Sequence, residues 1–267
     1  CIIEYREKGF IPFGRIHWKF MGVVPNNPGN DRITVHEYTS LSVPPLPRIK
    51  DFVKRAINSK PDMRVFQNNL LKNVYSYNDD VPHFYRPVIC GDIFFKIKDT
   101  PKKYDFVYCG TLDSTRKIDK PLFSLIVYFH NRSFLIIGQP TGDIQEKLNK
   151  FSNVTTTGKI PYEKVPEQMS KARYGLNLVP DIYPFNRLIS TKLLEYCAMG
   201  LPVLTLGGEW LETFEKEKGA RFFKIGKDNL SKLDEFDFRI PSVEDYHPDV
   251  VFHKSGIIEW VKEKLGN

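Results

Sequence analysis

The chain has 267 residues, of which 41% are hydrophobic and 27% charged, a composition that suits two modest α/β domains and predicts a folded, soluble protein. Its apolar runs, such as 123–129 and 201–206, fall far short of the roughly 20 residues needed to cross a bilayer, so neither a membrane span nor a signal peptide is expected. The net charge of +7 favours an anionic partner, a nucleoside diphosphate or an anionic membrane surface; nucleic acid is not expected, because the lysines and arginines are dispersed without a recognisable motif.

Four cysteines, Cys1, Cys90, Cys109 and Cys197, show neither a CxxC spacing nor a histidine partner, which predicts free thiols in a reducing, cytoplasmic setting. Peripheral contact with the membrane's inner face fits the basic charge. A first residue of cysteine running into the apolar stretch 1–5 suggests that an N-terminal segment precedes it.

Residues 1–100 are punctuated by Val24-Pro25-Asn26-Asn27-Pro28-Gly29 and Val43-Pro44-Pro45-Leu46-Pro47. Between these loops, strands are expected at 33–35 and 64–66 and an amphipathic helix at 49–57. The stretch reads as a partial α/β layer. Over 101–250 the pattern becomes regular, with strands expected at 105–109, 133–137, 153–156, 174–179, 202–205 and 221–225. Helices are expected between them at 119–128, 143–151, 165–171, 190–199 and 209–217. Such alternation predicts a parallel sheet with crossover helices, a Rossmann-like layer. The tail, 251–267, is expected to carry an amphipathic helix over 255–265 that packs back toward the first domain.

In parallel sheets ligands sit where strands end and helices begin, because unpaired backbone N–H groups gather there. Three such loops stand out. Gly110 and Thr111 end the strand at 105–109, and Arg116 with Lys117 follow at a distance that can neutralise a diphosphate; a solvated turn is the alternative. Gly158, Lys159, Ile160 and Tyr162 follow the strand at 153–156, where exposed main chain can read the edge of a base and Tyr162 can lie against it; a plain strand-to-helix turn is equally compatible. The third loop holds Asn186 and leads to Ser190 or Thr191 as the cap of a helix ending at Gly200. In that helix Lys192 and Glu195 are three apart and share a face. A carboxylate there can accept two ribose hydroxyls while Lys192 and the helix start face phosphates.

At these residues the sequence resembles the C-terminal domain of family-4-like GT-B glycosyltransferases. The matching runs are Phe106-Val107-Tyr108-Cys109-Gly110-Thr111-Leu112, Leu135-Ile136-Ile137-Gly138, Gly158-Lys159-Ile160-Pro161-Tyr162 and Lys192-Leu193-Leu194-Glu195-Tyr196-Cys197-Ala198-Met199-Gly200-Leu201-Pro202-Val203, of which the last is the most specific. The resemblance implies two Rossmann-like domains facing a cleft, the first of them incomplete at 1–100 because the usual opening glycine-rich loop has no counterpart. It implies transfer of a sugar, with retention of configuration, from a UDP- or GDP-linked donor to a glycan or lipid-linked acceptor in surface glycan synthesis. It also places the ribose on Glu195 and the diphosphate on Arg116 and Lys117. Many members carry a second glutamate eight residues before the ribose-binding one, where this chain has Arg187. His36, in Ile33-Thr34-Val35-His36-Glu37, resembles the histidine that many members place near the reaction centre. With no D-x-D pair and no histidine cluster, neither a metal nor a resident cofactor is expected. A non-catalytic GT-B binding protein and a sugar-nucleotide epimerase are the competing readings.

Overall fold

A computed structural model describes residues 15–23, 32–97, 100–112 and 117–266. The chain divides into two compact units, the first from residues up to 89 together with 248 onward, the second from 90–247.

The first unit opens with a parallel sheet whose strands lie in chain order, β1 (Ile16–Phe20), β2 (Ile33–Tyr38), β3 (Met63–Phe66) and β4 (His83–Tyr85). The helix α1 (Pro47–Ile57) connects β2 to β3, and α2 (Asn69–Tyr75) connects β3 to β4. Proline at the start of α1 is favourable because the first helical N–H has no intrahelical acceptor. Asn68 caps α2 by accepting from the Leu71 N–H at 3.0 Å, a signal hidden in a run of asparagines that reads as loop. β1, α2 and β4 were not expected from the sequence. β4 is three residues long and follows Pro82 at the edge of the sheet, which leaves no alternation to read.

The second unit contains α3 (Asp92–Phe95), β5 (Tyr104–Cys109), α4 (Asp119–Tyr128), β6 (Phe134–Ile137), α5 (Gly142–Leu148), β7 (Val154–Thr156), α6 (Val165–Ser170), β8 (Ala172–Asn177), α7 (Thr191–Ala198), β9 (Val203–Thr205), α8 (Glu209–Lys218) and β10 (Phe223–Lys224). All pairings are parallel, in the order β7-β6-β5-β8-β9-β10, the doubly wound arrangement. Every residue of β6 is buried, as a strand covered by helices on both faces requires. Phe106 stacks on Phe134 with ring centroids 4.7 Å apart, and Leu122, Ile126, Ile136 and Leu176 close the core around them. Each such side chain contributes on the order of 1.5–3 kcal/mol by its burial.

The strand expected at 174–179 begins two residues earlier and ends at Asn177. Its start is disguised by Arg173 and Gly175, and the apolar Leu178 and Val179 continue past the last sheet hydrogen bonds into Pro180. Gly175 is demanded by packing, since a Cβ there would stand 2.7 Å from the Tyr196 ring of α7.

The chain then returns to the first unit with α9 (Pro248–Lys254) and α10 (Ile257–Leu265). Ile257, Trp260 and Val261 of α10 cover Val35, Met63 and Val65 on one face of the first sheet. The apolar side of the tail helix therefore completes the core of that unit.

Candidate functional site

Because all six strands of the second sheet run the same way, one edge of it collects every strand-to-helix loop. From β5 the chain moves outward to β6 and β7, and from β8 it moves the other way to β9 and β10. Between such diverging connections a crevice opens, lined by helix starts whose N–H groups are unpaired. Gly110, Thr111 and Lys117 follow β5, while Gly158, Lys159, Ile160 and Tyr162 follow β7. Asn186 lies in the β8–α7 connection, and Lys192 and Glu195 lie in the first two turns of α7. The fold thus gathers these residues on one edge. Arg116 lies outside the described residues.

The loops at this edge are drawn tightly together. Gly138, at the end of β6, has φ of 140°, and a Cβ on it would meet the Gly110 carbonyl oxygen at 2.3 Å. Only glycine permits that approach. The Gly110 N–H donates to the Ile137 carbonyl at 3.0 Å and the Gly138 N–H to the Gly158 carbonyl at 3.2 Å, so the ends of β5, β6 and β7 form one backbone platform. Lys117, later in the same connection from β5 to α4, is exposed and has a left-handed φ of 53°.

The start of α7 is fixed by a relay of side chains. Ser190 caps it, accepting from the Leu193 N–H at 3.3 Å, and donates to Asn177 Oδ1 at 2.6 Å. Asn177 Nδ2 in turn donates to Thr205 Oγ1 at 3.2 Å. The ends of β8 and β9 are thereby locked to the helix that carries the charged pair. Sequence reasoning found the cap but not the relay, whose members are 13 and 28 positions apart.

Lys192 Nζ donates to Glu195 Oε2 at 2.8 Å, and Glu195 is only 2% exposed. Glu195 Oε1 accepts no hydrogen bond from the described residues. A carboxylate held at a helix start by one lysine keeps acceptor capacity for further donors. Burial raises the Glu195 pKa, against which the Lys192 charge acts. Burial pulls Lys192 down, but Glu195 and Cys109 together carry it above its ordinary value, so the ammonium is retained. Cys109 and Cys90 are both raised by burial, Cys90 to about 12, and both lie within the field of the pair.

Tyr162 is half-exposed and meets Phe94 edge-on at 5.7 Å. Burial and then the Glu195 charge push its hydroxyl up to about 12, which puts it in the neighbourhood of the carboxylate as a neutral donor. Lys159 is exposed and Ile160 half-buried. Asn186 Nδ2 donates to Asp181 Oδ1 at 3.0 Å, whereas its Oδ1 is buried and has no partner among the described residues. Arg187 pairs with Glu209, the first residue of α8, at 2.8 Å. A hollow at the opposite edge, lined by Lys102, Ser170, Arg173, Met199, Gly200 and Pro202, lies at the strand starts, away from these groups. No group of histidine, cysteine and acidic side chains among the described residues is placed to hold a metal ion.

His36 belongs to the first unit. The strand expected to stop at Val35 continues to Tyr38, so His36 stands inside β2, level with Lys19 of β1 and Arg64 of β3. It is fully buried, and neither ring nitrogen has a partner among the described residues. Burial, then the Lys19 and Arg64 charges, lower its pKa to about 4, leaving a neutral imidazole at physiological pH. Glu37 points to the other face and is held by Trp18 Nε1 at 2.5 Å and by Arg86.

No protein-family model matches the chain, and no curated protein matches its sequence significantly. Solved structures do match its fold. HepE of Anabaena, in complex with UDP and glucose, superposes with a TM-score of 0.53 at 13% identity, over 73% of this chain and 58% of that one. A TarM mutant of S. aureus, in complex with Fondaparinux, alpha-GlcNAc-glycerol and UDP, gives 0.53 at 11% identity, over 79% and 44%. Sucrose-phosphate synthase from Thermosynechococcus elongatus gives 0.51 at 17% identity, over 68% and 52%. The chain spans about half the length of the solved chains it matches. The fold is the GT-B type that the sequence resemblance implied.

Proposed function

We propose that the second unit binds a nucleotide-sugar, UDP- or GDP-linked, and that the protein transfers the sugar with retention to a glycan or lipid-linked acceptor in glycan synthesis. The observation that carries this reading is the buried Glu195, paired with Lys192 through Oε2 at the capped start of α7 and with Oε1 accepting from none of the described residues. Ribose hydroxyls donating to that oxygen would add to its hydrogen bonding, and the neighbouring Lys192 charge opposes the upward pull of burial on the carboxylate. The diphosphate would lie on the backbone platform of Gly110, Gly138 and Gly158, with Arg116 and Lys117 as its counter-charges and Tyr162 and the main chain of Lys159 and Ile160 toward the base. Fixed cations and helix-start dipoles would then stabilise the leaving diphosphate without a metal. UDP in the HepE and TarM complexes supports a nucleotide at this fold. The buried free thiols Cys90, Cys109 and Cys197 suit a cytoplasmic location.

The test is a thermal-shift screen with UDP, GDP, ADP and CMP followed by calorimetry on Glu195→Ala. A ligand at a hundredfold excess over its Kd stabilises the folded chain by about 2.7 kcal/mol. Glu195→Ala should cost on the order of 1.5–3 kcal/mol of binding for each charged hydrogen bond lost. Donor affinity unchanged by that substitution overturns the assignment.

For His36 the proposed role is a neutral donor or acceptor toward the leaving phosphate or the acceptor. A structural role is the alternative that its full burial favours. Kinetics of His36→Ala separates the two: lower turnover at unchanged donor affinity and melting point marks a part in the reaction, and normal turnover a structural one.

A further inference from the structure

The helix α1 is amphipathic in the reverse sense to a core helix. At about 100° per residue, Ile49, Phe52, Val53 and Ile57 form one apolar stripe, and all are exposed, Phe52 by 67%. The single acid of the helix, Asp51, points the opposite way and is 2% exposed. Asp51 Oδ1 accepts from the Ser42 N–H at 3.0 Å and from the Tyr75 hydroxyl at 3.1 Å, so the helix is pinned to its unit by a polar contact. Its apolar side is left to the solvent, and Leu46, 64% exposed, extends that side beyond the first turn.

Cations flank the stripe. Arg48 and Arg55 fall on one side of it and Lys50 and Lys54 on the other, and with Asp51 buried no acid of the helix lies near them. Lys50 Nζ donates to the Val43 carbonyl at 3.1 Å, which holds that ammonium beside the apolar face. At 11 residues the helix is about 16 Å long, too short to cross a bilayer and suited to lie in its plane.

We propose that α1 docks the protein on an anionic lipid surface, with Ile49, Phe52, Val53 and Ile57 in the acyl boundary and the four cations on lipid phosphates. The charge selects a membrane over a protein partner. A protein groove that covers an apolar stripe has no need of cations on both flanks, whereas a lipid surface presents phosphates on either side of an inserted helix. None of the residues assigned to the nucleotide lies on α1.

The test is co-sedimentation of the full chain with vesicles of phosphatidylcholine, with and without phosphatidylglycerol. The protein is expected on the phosphatidylglycerol vesicles, with binding that weakens as salt rises. Ile49→Ser with Phe52→Ser should lower that binding by roughly tenfold or more. Lys54→Ser with Arg55→Ser should lower it roughly fivefold for each cation removed. Ile49, Phe52 and Arg55 are exposed and Lys54 is half-buried, so the melting point of each variant should stay close to the parent's, which separates lost docking from lost folding. Failure to bind phosphatidylglycerol vesicles, or binding indifferent to Ile49 and Phe52, overturns the proposal. So does self-association that disappears in Ile49→Ser with Phe52→Ser while vesicles are ignored, since a second copy would then be the occupant.

Discussion

Among the described residues three buried carboxylates, Glu37, Asp51 and Glu195, divide between the units, and they differ in how completely the chain satisfies them. In the first unit Glu37 has Trp18 on one oxygen and Arg86 on the other, and Asp51 is held by the Ser42 N–H and the Tyr75 hydroxyl. In the second unit Glu195 has Lys192 on one oxygen and no partner among the described residues on the other. All three are almost inaccessible, so burial alone does not distinguish structure from function. Completeness does. A carboxylate whose acceptors are filled by its own fold has a structural task, whereas for Glu195, at the carboxyl edge of a parallel sheet beside a helix start, the task we propose is to meet a ligand that brings donors.

The sharpest way to break this contrast is to disrupt one acid of each kind. Arg86→Ala leaves Glu37 buried beside Trp18 without its cation and should cost about 3–5 kcal/mol of stability in urea unfolding, with nucleotide affinity unchanged. Glu195→Ala should do the opposite, with a large loss of nucleotide affinity and a small change in the unfolding midpoint. If both variants lose stability and neither loses affinity, Glu37 and Glu195 are both structural. His36 supplies a pH test of the first unit. Its folded pKa of about 4 lies below its ordinary value of 6.5. Between these values the unfolded chain binds a proton that the folded chain refuses, so the stabilisation is full above 6.5 and is lost as pH falls toward 4. The loss amounts to about 3 kcal/mol by the lower limit. His36→Leu cannot be protonated, so its unfolding midpoint should fall less than the parent's between pH 7 and pH 4.5. Equal falls would show that the imidazole takes up its proton in the folded state.

Much of this architecture was legible in the sequence, and the parts that were not share a physical reason. The alternation of apolar runs with helical patterns fixed the second sheet, because parallel strands buried on both faces are nearly continuous apolar runs, as in Phe134–Ile137. The helix with Lys192 and Glu195 was legible because Ser190 caps it and Gly200 follows its end. In the first unit, β1, α2 and β4 escaped notice because they are short and lie among polar or proline-containing text. The outward apolar face of α1 was hidden for another reason: periodicity says that a helix has two faces but not which one the fold turns inward. That depends on Asp51 meeting Tyr75, 24 positions away. The relay from Ser190 through Asn177 to Thr205, and the pairing of Arg187 with Glu209, were hidden in the same way.

A milder probe acts on the satisfied side of the contrast. Tyr75→Phe removes one donor from Asp51 while leaving the Ser42 N–H in place and the ring packed 4.5 Å from Tyr38. A hydrogen bond to a charged group is worth about 1.5–3 kcal/mol, and the remaining donor should hold the cost to the lower end of that range. The melting point should fall while nucleotide affinity stays level. A change in affinity instead would mean that the first unit's polar core is coupled to the ligand.

The smallest expected effect belongs to the loop after β5, and it asks whether Lys117 serves the ligand or only the solvent. Lys117 is exposed and held in a left-handed backbone conformation immediately before α4, on the same edge as Gly110 and Gly138. An exposed cation gives up little when removed, because water and salt already screen it, so Lys117→Ala should cost about 0.5–1 kcal/mol of diphosphate binding at low salt. Its specificity is more telling than its size. If Lys117, together with Arg116, faces the diphosphate, neutralising both should weaken UDP or GDP while leaving the parent nucleoside nearly untouched, and the difference should shrink as salt is raised. Glu195→Ala should weaken nucleoside and diphosphate alike, since both carry the ribose. Calorimetric titration of uridine and UDP, or guanosine and GDP, against the two variants separates these patterns. Equal losses for nucleoside and diphosphate in the double-neutralised loop would show that Arg116 and Lys117 are solvated charges, and would move the phosphates to Lys192 and the start of α7.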